Sequence, residues 1–424
     1  MDYKKWRSQI KPDKTIRNYQ HFDDALNLNS EKIFQKIINI LQDIIGHQFL
    51  PFLKRDMKVV RFRKNKDGNI LRSLKVRPIM YAAHVDAHIY SYYNHILSEK
   101  YEDFLREAAV NDNVIAYRKV EIRETAKGKS NIHFAKEVFD YIQKRDAPVV
   151  ITQDIESFFD KIDHKILKNR LCLICKEKEL DNDLYKIIKS LTKYRYVQFD
   201  DFKNKKIKKL IKKNGYAIYK ILKDFVRQNQ TNKGIPQGSP MSGLLANIYL
   251  VSFDHAIKTT FPDVFYRRYS DDLIFVCKNS QRSELLKFID RQIKEHFLSI
   301  NPEKSFISYF ENRDGGIFCS EVTDGLENKL GRDYVAYLGF EFNGKSILLR
   351  KNTIQKLKHK QADKAKKQLL NTQSQIRRKP KKLKSAIIKH RSNYFKKTLS
   401  VIDNPGIKNQ ILGVVRDRNK VGKT

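Results

Sequence analysis

The stretch "YRRYSDDLIFVC", Tyr266 to Cys277, sets two adjacent aspartates between an aromatic, basic run and an apolar one. Strand alternation sends neighbouring side chains to opposite faces. A simple buried strand therefore cannot accommodate both Asp271 and Asp272. A hairpin can, because the flanking runs "VFYRRY" and "LIFVC" both have strand composition and the pair then sits at a tight turn.

Asp154 lies in a second stretch of this kind. "APVVITQDIESFFDKIDHKIL", Ala147 to Leu167, reads as a short buried strand ending near Asp154, then a turn, then a helix. If both strand ends belong to one sheet, three carboxylates converge at its edge. Like charges so close repel, and a hard divalent cation is the usual remedy. Ligands that are all oxygen select Mg²⁺ or Mn²⁺. Two such ions roughly 3.5–4 Å apart can activate an attacking hydroxyl and stabilise a leaving phosphate oxygen. An Asp-Asp pair in a turn is ordinarily just a solvated pair; the apolar flanks, and a Gly/Gln/Pro loop between the carboxylate sites, argue for more.

The rest of the chain is strongly basic. Of 424 residues, 85 are Lys or Arg and 48 are Asp or Glu, a formal net charge of +37. Such an excess points to a polyanionic partner, above all nucleic acid, against the plainer reading of a merely soluble protein. With 41% hydrophobic and 31% charged residues the composition is that of a folded, soluble chain. The longest uncharged stretch, Ile235 to Phe253, is broken by Pro236, Gly238, Pro240 and Asn247. A bilayer span needs about 20 predominantly apolar residues, so a membrane partner is not expected. The N-terminus shows no apolar signal region. Four cysteines make no disulfide framework and fit a reducing cytoplasm. Cys172 and Cys175 form a CxxC without a second pair, better read as packing on one helix than as zinc binding.

Along the chain, Ser30 caps a helix whose apolar positions are Ile33, Ile37, Ile40, Leu41, Ile44 and Ile45. Strands over about 58–64 and 70–77 flank an Asp67-Gly68 turn, with Lys75 and Arg77 on one face, and Pro78 ends the ladder. A long helix follows over about 86–107. Residues 203–213, "KNKKIKKLIKK", hold seven lysines on an amphipathic pattern, equally a solvated helix or a phosphate-facing one. In "KGIPQGSPMSGLLANIYLVSFD", Ser239 and Pro240 read as the cap and first residue of a helix. Another helix is expected over about 283–297. The last 74 residues carry 22 Lys/Arg and three acids but keep apolar positions such as Ile354 and Leu357, so they read as a small helical domain. Tyr394 and Phe395 there could stack on bases, although core packing is the plainer reading.

Five ordered pieces resemble the reverse transcriptases, specifically the bacterial stand-alone kind related to retron and group II intron enzymes. They are "RPIMYAAHVDAHIYSYY", "DIESFFDKID", "GIPQGSPMSGLLANIYL", "YSDD", and "LSINPEKS" with "YLGFEF". The resemblance implies an α+β right-hand polymerase with fingers, an antiparallel palm sheet backed by helices, and a basic helical thumb. It divides the chain into an N-terminal helical extension (1–57), fingers (58–145), palm (146–342, with a Lys-rich insertion at about 194–230) and thumb (343–424). Asp154 and Asp271 would bind two Mg²⁺ ions, or Mn²⁺, with Asp272 supporting and the Ile155 carbonyl as a further ligand. Phe159 would block a ribose 2′-hydroxyl. Gln237 and Gly238 would shape the nucleotide pocket, Arg77 and Lys75 would clasp the triphosphate, and Lys304 matches the lysine of the closing palm motif. Leu338 and Gly339 would form the primer grip.

The implied activity is RNA-directed DNA synthesis on a structured non-coding RNA, with dNTPs as substrates and cDNA as product. Two departures stand out: Ala87 follows Asp86 where many relatives carry a basic residue, and Ser270 stands where Ala is frequent. No maturation-type DNA-binding module, HNH signature or RNase H carboxylate set is legible, which suggests a stand-alone enzyme. The wording of the motifs most resembles the class-2 defence-associated enzymes of bacteria. The alternatives are RNA synthesis or template-independent DNA addition on the same palm, or a catalytically idle RNA-binding protein.

If the lysines contact phosphate, RNA affinity should fall steeply with salt. Neutralising six or more phosphates would cost roughly a thousandfold in affinity between 50 and 200 mM salt, measurable by filter binding. A nearly flat dependence would exclude phosphate contact.

Overall fold

The protein's computed structural model describes residues 3–10, 17, 19, 21–64, 69–122, 125, 127–202, 225–313, 316–321 and 333–376. The Asp67-Gly68 turn, the Lys-rich run at 203–213, Tyr394 and Phe395 lie outside the described residues.

Twelve strands are described: β1 (Phe52–Lys64), β2 (Ile70–Tyr81), β3 (Val149–Asp154), β4 (Arg195–Gln198), β5 (Arg227–Gln228), β6 (Phe265–Tyr269), β7 (Asp272–Cys277), β8 (Phe306–Arg313), β9 (Gly316–Glu321), β10 (Val335–Tyr337), β11 (Phe340–Phe342) and β12 (Ile347–Leu349). The central sheet runs β6-β7-β3-β8-β9 and is antiparallel throughout. Its inner strands are buried on both faces, which is why "LIFVC" has no polar alternation. Val149, Ile151, Leu273 and Phe275 pack into a core with the helices His164–Cys175, Ser242–Tyr249, Val251–Thr260 and Arg282–Glu295. Val150, Ile274, Val276 and Phe310 face the other way, onto the helix Asn131–Gln143 and the small sheet β10-β11-β12.

A second sheet runs β2-β1-β4-β5, with β1 and β4 parallel. The β1–β2 ladder extends from Leu53↔Tyr81 to Lys64↔Ile70, longer than the sequence pattern suggested. Pro78 does not end it but pairs with Asp56. As β2 is an edge strand, a residue without an N–H is tolerated there.

Several other expectations need correcting. The helix Glu31–Gln42 has Ser30 at its N-cap position, but no side-chain cap bond forms, and Ile45 lies beyond the helix, half exposed. The Ser239-Pro240 pair forms a turn ahead of the helix, which begins at Ser242. Ser242 N–H donates to the Ser239 carbonyl, tightening that turn. The proposed partition is also crossed by strand pairing: β1 begins inside 1–57, β4 and β5 of the 194–230 insertion join the β1–β2 sheet, and β12 inside 343–424 completes the β10–β11 sheet. Strands of four residues or fewer carry too little pattern to reveal their sheet. Cys172 and Cys175 share one helix as free, half-buried thiols.

An N-terminal strap crosses the start of the helix His84–Glu107. The Asp23 carboxylate takes the His84 Nδ1 at 2.6 Å and the Val85 N–H at 3.1 Å. Beneath it His88 is fully buried, with neither ring nitrogen hydrogen-bonded. Burial, then the Arg17 and His84 charges, push its pKa down to about 3. An unfolded histidine titrates near 6.5. Between those values the unfolded chain holds a proton that the folded chain does not, so stability falls as pH drops through that window. From pH 7 to pH 5 the loss from this one group is about 2 kcal/mol. In urea unfolding, His88→Leu should therefore lose less stability over that interval than the wild type, by about the same amount. Equal losses in both would show that His88 does not set the pH dependence.

Candidate active site

Carboxylates at the end of β3 and β7 are positioned by backbone register. Asp154 is the last residue of β3 and pairs directly with Asp272, the first of β7. Tyr269 pairs with the same Asp272 on the other side, leaving Ser270 and Asp271 as a two-residue turn. Ser270 takes a positive φ of 61°, as such turns require. The Ile155 N–H donates to the Asp271 carbonyl at 2.9 Å, and the Asn301 N–H to the Asp154 carbonyl at 2.8 Å. The three aspartates expected to act together are thus brought to one sheet edge, with Ile155 adjoining them.

The pair divides its neighbours. Directly paired residues of antiparallel strands share a face, so Asp272 shares the face of Asp154, the one toward β10–β12. Burial and then the Asp271 and Asp154 charges push its carboxyl up to about 7, with Lys304 and Arg350 opposing. Its exposed surface lets water screen part of that push. Burial, followed by Asp154, also raises Asp271, with Lys304 and Lys75 opposing. Asp271 therefore feels the β2 side and Asp272 the β10–β12 side.

Lys304, in the short turn Pro302–Lys304, places its ammonium 2.5 Å from both oxygens of Asp154. It stands in for a cation: a compact positive charge shared by both carboxylate oxygens, beside carboxyls that burial and mutual repulsion push up. Oxygen-only donors in that setting fit a divalent ion. Among the described residues, no three His, Cys, Asp or Glu side chains stand in closed metal-holding geometry.

The remaining expected residues lie on the neighbouring turns and strands. Phe159 is half-buried in the turn Phe158–Lys161, while Phe158 beside it is in the core. The Phe159 carbonyl accepts the Ile235 N–H at 3.0 Å, tying the turn to the Gln237-Gly238 loop. The Gln237 carbonyl accepts the Met80 N–H at 2.7 Å, clasping the end of β2. Gly238 has φ 114°, and a Cβ there would lie 2.8 Å from the Met80 carbonyl oxygen, so only glycine permits this approach. Arg77 is exposed on β2 and Lys75 is half-buried two residues earlier. Ala87 is buried. Leu338 and Gly339, with φ 46° and 95°, turn the β10–β11 hairpin. The Gly339 carbonyl accepts Arg350 N–H and Thr353 Oγ1, anchoring the helix Lys351–Ile376.

The sequence reading missed the support beneath the turn. Arg268, fully buried, donates Nε to Asp254 Oδ1 at 2.8 Å and Nη2 to Asp254 Oδ2 at 2.6 Å. Its Nη1 reaches Asn247 Oδ1 at 3.1 Å, and the Tyr266 hydroxyl donates to Asp254 at 2.7 Å. Asn247 and Asp254, polar residues seven apart in a largely apolar run, were the available signal, though they sit on successive helices, Ser242–Tyr249 and Val251–Thr260.

The profile of the reverse transcriptase (RNA-dependent DNA polymerase) family matches residues 75–342, well over half of the chain, including Asp154, Asp271, Asp272 and Lys304. The chain belongs to the reverse transcriptase family. Its α+β architecture is that of the family's right-hand polymerase fold. No curated protein matches the chain. Among solved structures, a C-terminally truncated apo telomerase from Candida tropicalis aligns at 13% identity and TM-score 0.41, over 79% of this chain and 63% of that one. A C. tropicalis telomerase in complex with a TWJ fragment of telomeric RNA aligns at 13% identity and TM-score 0.38, over 76% and 48%. A C. albicans telomerase in complex with a TWJ fragment aligns at 11% identity and TM-score 0.38, over 79% and 54%. The enzyme spans less than two thirds of each of these telomerases.

Lys304→Met would free both Asp154 oxygens. A half-buried charged hydrogen bond is worth about 1.5–3 kcal/mol, so Mn²⁺ binding without nucleotide should tighten about tenfold or more in calorimetry. Unchanged affinity would mean that the ammonium does not compete for Asp154.

Proposed function

We propose that this chain is a bacterial reverse transcriptase that copies a structured non-coding RNA into cDNA by nucleotidyl transfer. The observation that carries the chemistry is the register that sets Asp272 opposite Asp154 and Asp271 in the adjoining turn. After an N-terminal helical extension (1–57), residues 58–145 form the fingers, 146–342 the palm and 343–424 the basic thumb, with β4 and β5 paired into the fingers' sheet.

The family works with divalent metal ions, and here Asp154 and Asp271 would hold two Mg²⁺, with Asp272 and the Ile155 carbonyl in support. Bound there, such ions supply the positive charge that lowers the pKa of a primer 3′-hydroxyl and offsets charge on the leaving pyrophosphate. The chain's own residues position the reactants. Arg77 and Lys75 on β2 clasp the triphosphate, and Gln237 with Gly238 fits the backbone closely around the nucleotide. The half-buried Phe159 ring excludes a ribose 2′-hydroxyl, which selects dNTPs. Lys304 holds Asp154 ready and then faces the substrate phosphates, while Leu338 and Gly339 present the hairpin that grips the primer. Positioning and charge stabilisation carry most of the work of phosphoryl transfer.

The source, the dedicated RNA template and an antiphage role in the bacterial cytoplasm rest on motif wording, which is most like that of the class-2 defence-associated enzymes. Fold alone does not establish such biology. Among the described residues, no helix is long and apolar enough to cross a membrane.

Primer extension with dNTPs or rNTPs, with and without an RNA template, tests the chemistry. The expected result is templated dNTP incorporation, reduced at least about a thousandfold by replacing Asp271 and Asp272 with alanine, with RNA binding retained. Incorporation indifferent to template would sink the RNA-copying reading, and a fully active double mutant would sink the site. Sequencing of co-purified nucleic acids should return one abundant structured RNA; a random cellular mixture would exclude a dedicated template.

A further inference from the structure

Tyr117 combines three properties that folding alone does not explain. It is 56% exposed, so it fills no core. Its φ is 57°, a left-handed conformation that a bulky side chain adopts only under constraint. Both sides of it are locked. The Ile115 N–H donates to the Arg268 carbonyl at 3.0 Å, and Asn247 Nδ2 to the Ala116 carbonyl at 2.8 Å. Arg118 next to it bonds Glu102 and the carbonyls of Asn111 and Val114. The chain is held in a strained shape in order to present an aromatic ring to solvent.

The ring lies at the active-site edge. Val114 bridges Arg268 in parallel, so both segments run toward the same end of the sheet. Asp271 is three residues beyond Arg268, and Tyr117 is three beyond Val114. On its other flank the Tyr117 ring rests on Gly243, at the start of the helix that follows the Gln237-Gly238 loop. A Cβ on Gly243 would come within 2.5 Å of Tyr117 Cγ. The glycine provides a flat floor that holds the ring level and leaves its remaining surface open.

We propose that Tyr117 is a nucleic-acid-binding residue: its ring is a platform on which a base or ribose of the template–primer duplex packs beside the Asp271 turn. This rests on the reverse-transcriptase reading above. Aromatic platforms suit such a site because every base offers a π-face regardless of sequence. Strain concentrates where a side chain must be aimed at a ligand.

The test is the affinity of the full chain for an RNA template annealed to a DNA primer, by fluorescence anisotropy, with a melting curve for each variant. Tyr117→Gly removes the ring and relieves the positive φ, so its melting temperature should not fall while binding weakens about tenfold. Tyr117→Phe keeps the ring and should bind within about twofold of wild type. Gly243→Ala tilts the ring off its floor and should weaken binding, and adding it to Tyr117→Gly should cost nothing further. Wild-type affinity in Tyr117→Gly would overturn the platform. So would a marked fall in its melting temperature, because the ring would then be structural. A wild-type chain that fails to bind the duplex would overturn both this inference and the reading it rests on, whereas binding that is insensitive to Tyr117 would overturn this inference alone.

Discussion

A buried arginine organises the catalytic end of this molecule. Arg268 sits at the end of β6, one residue before the tyrosine that leads into the Asp271 turn, and has no solvent exposure. Its charge is met by both oxygens of Asp254, itself fully buried. Its remaining donors reach Asn247, and its backbone bonds Asn113 and Ile115. One side chain thus ties the hairpin to two helices and to the segment that carries Tyr117. Removing one partner of such a pair leaves an uncompensated buried charge and costs about 3–5 kcal/mol. The hairpin therefore cannot drift relative to the helices without breaking the pair. Chemistry on phosphates needs reacting groups held to within a fraction of an ångström, and that support has to come from beneath the loop.

The same edge shows how a chain of charge +37 keeps three carboxylates together. The basic residues do not neutralise them generally. Lys304 bonds the Asp154 carboxylate, and Lys75 and Arg350 act on Asp271 and Asp272 respectively from opposite sides. Asp271 and Asp272 remain short of positive charge, which leaves the edge ready for a hard cation.

Much of the site was legible because its signals are local. An Asp-Asp pair between strand-forming runs admits few explanations other than a turn, and a Gly-Ser-Pro loop before an apolar run reads as the approach to a helix. The errors have physical causes. Pro78 looked like a ladder end because a central strand cannot lose an N–H, but β2 is an edge strand. β4, β5 and β12 are too short to carry periodicity, and they were assigned by neighbourhood in the sequence instead of by hydrogen bonding. Asn247, Asp254 and Arg268 lay in plain view as polar residues within apolar runs, yet nothing local showed that they meet one another.

By itself, the sequence determined the fold class, the family and the three aspartates, because those depend on alternation, turn chemistry and ordered motifs that one chain segment can carry alone. Only the tertiary structure decided which aspartate faces which neighbour, that Lys304 reaches Asp154, and that Tyr117 is aimed outward on a glycine floor. These are contacts between segments separated by more than a hundred residues in sequence, or between faces set by strand register. A shift of one residue in that register would reverse every side chain, and the buried packing on both faces of the sheet is what prevents it.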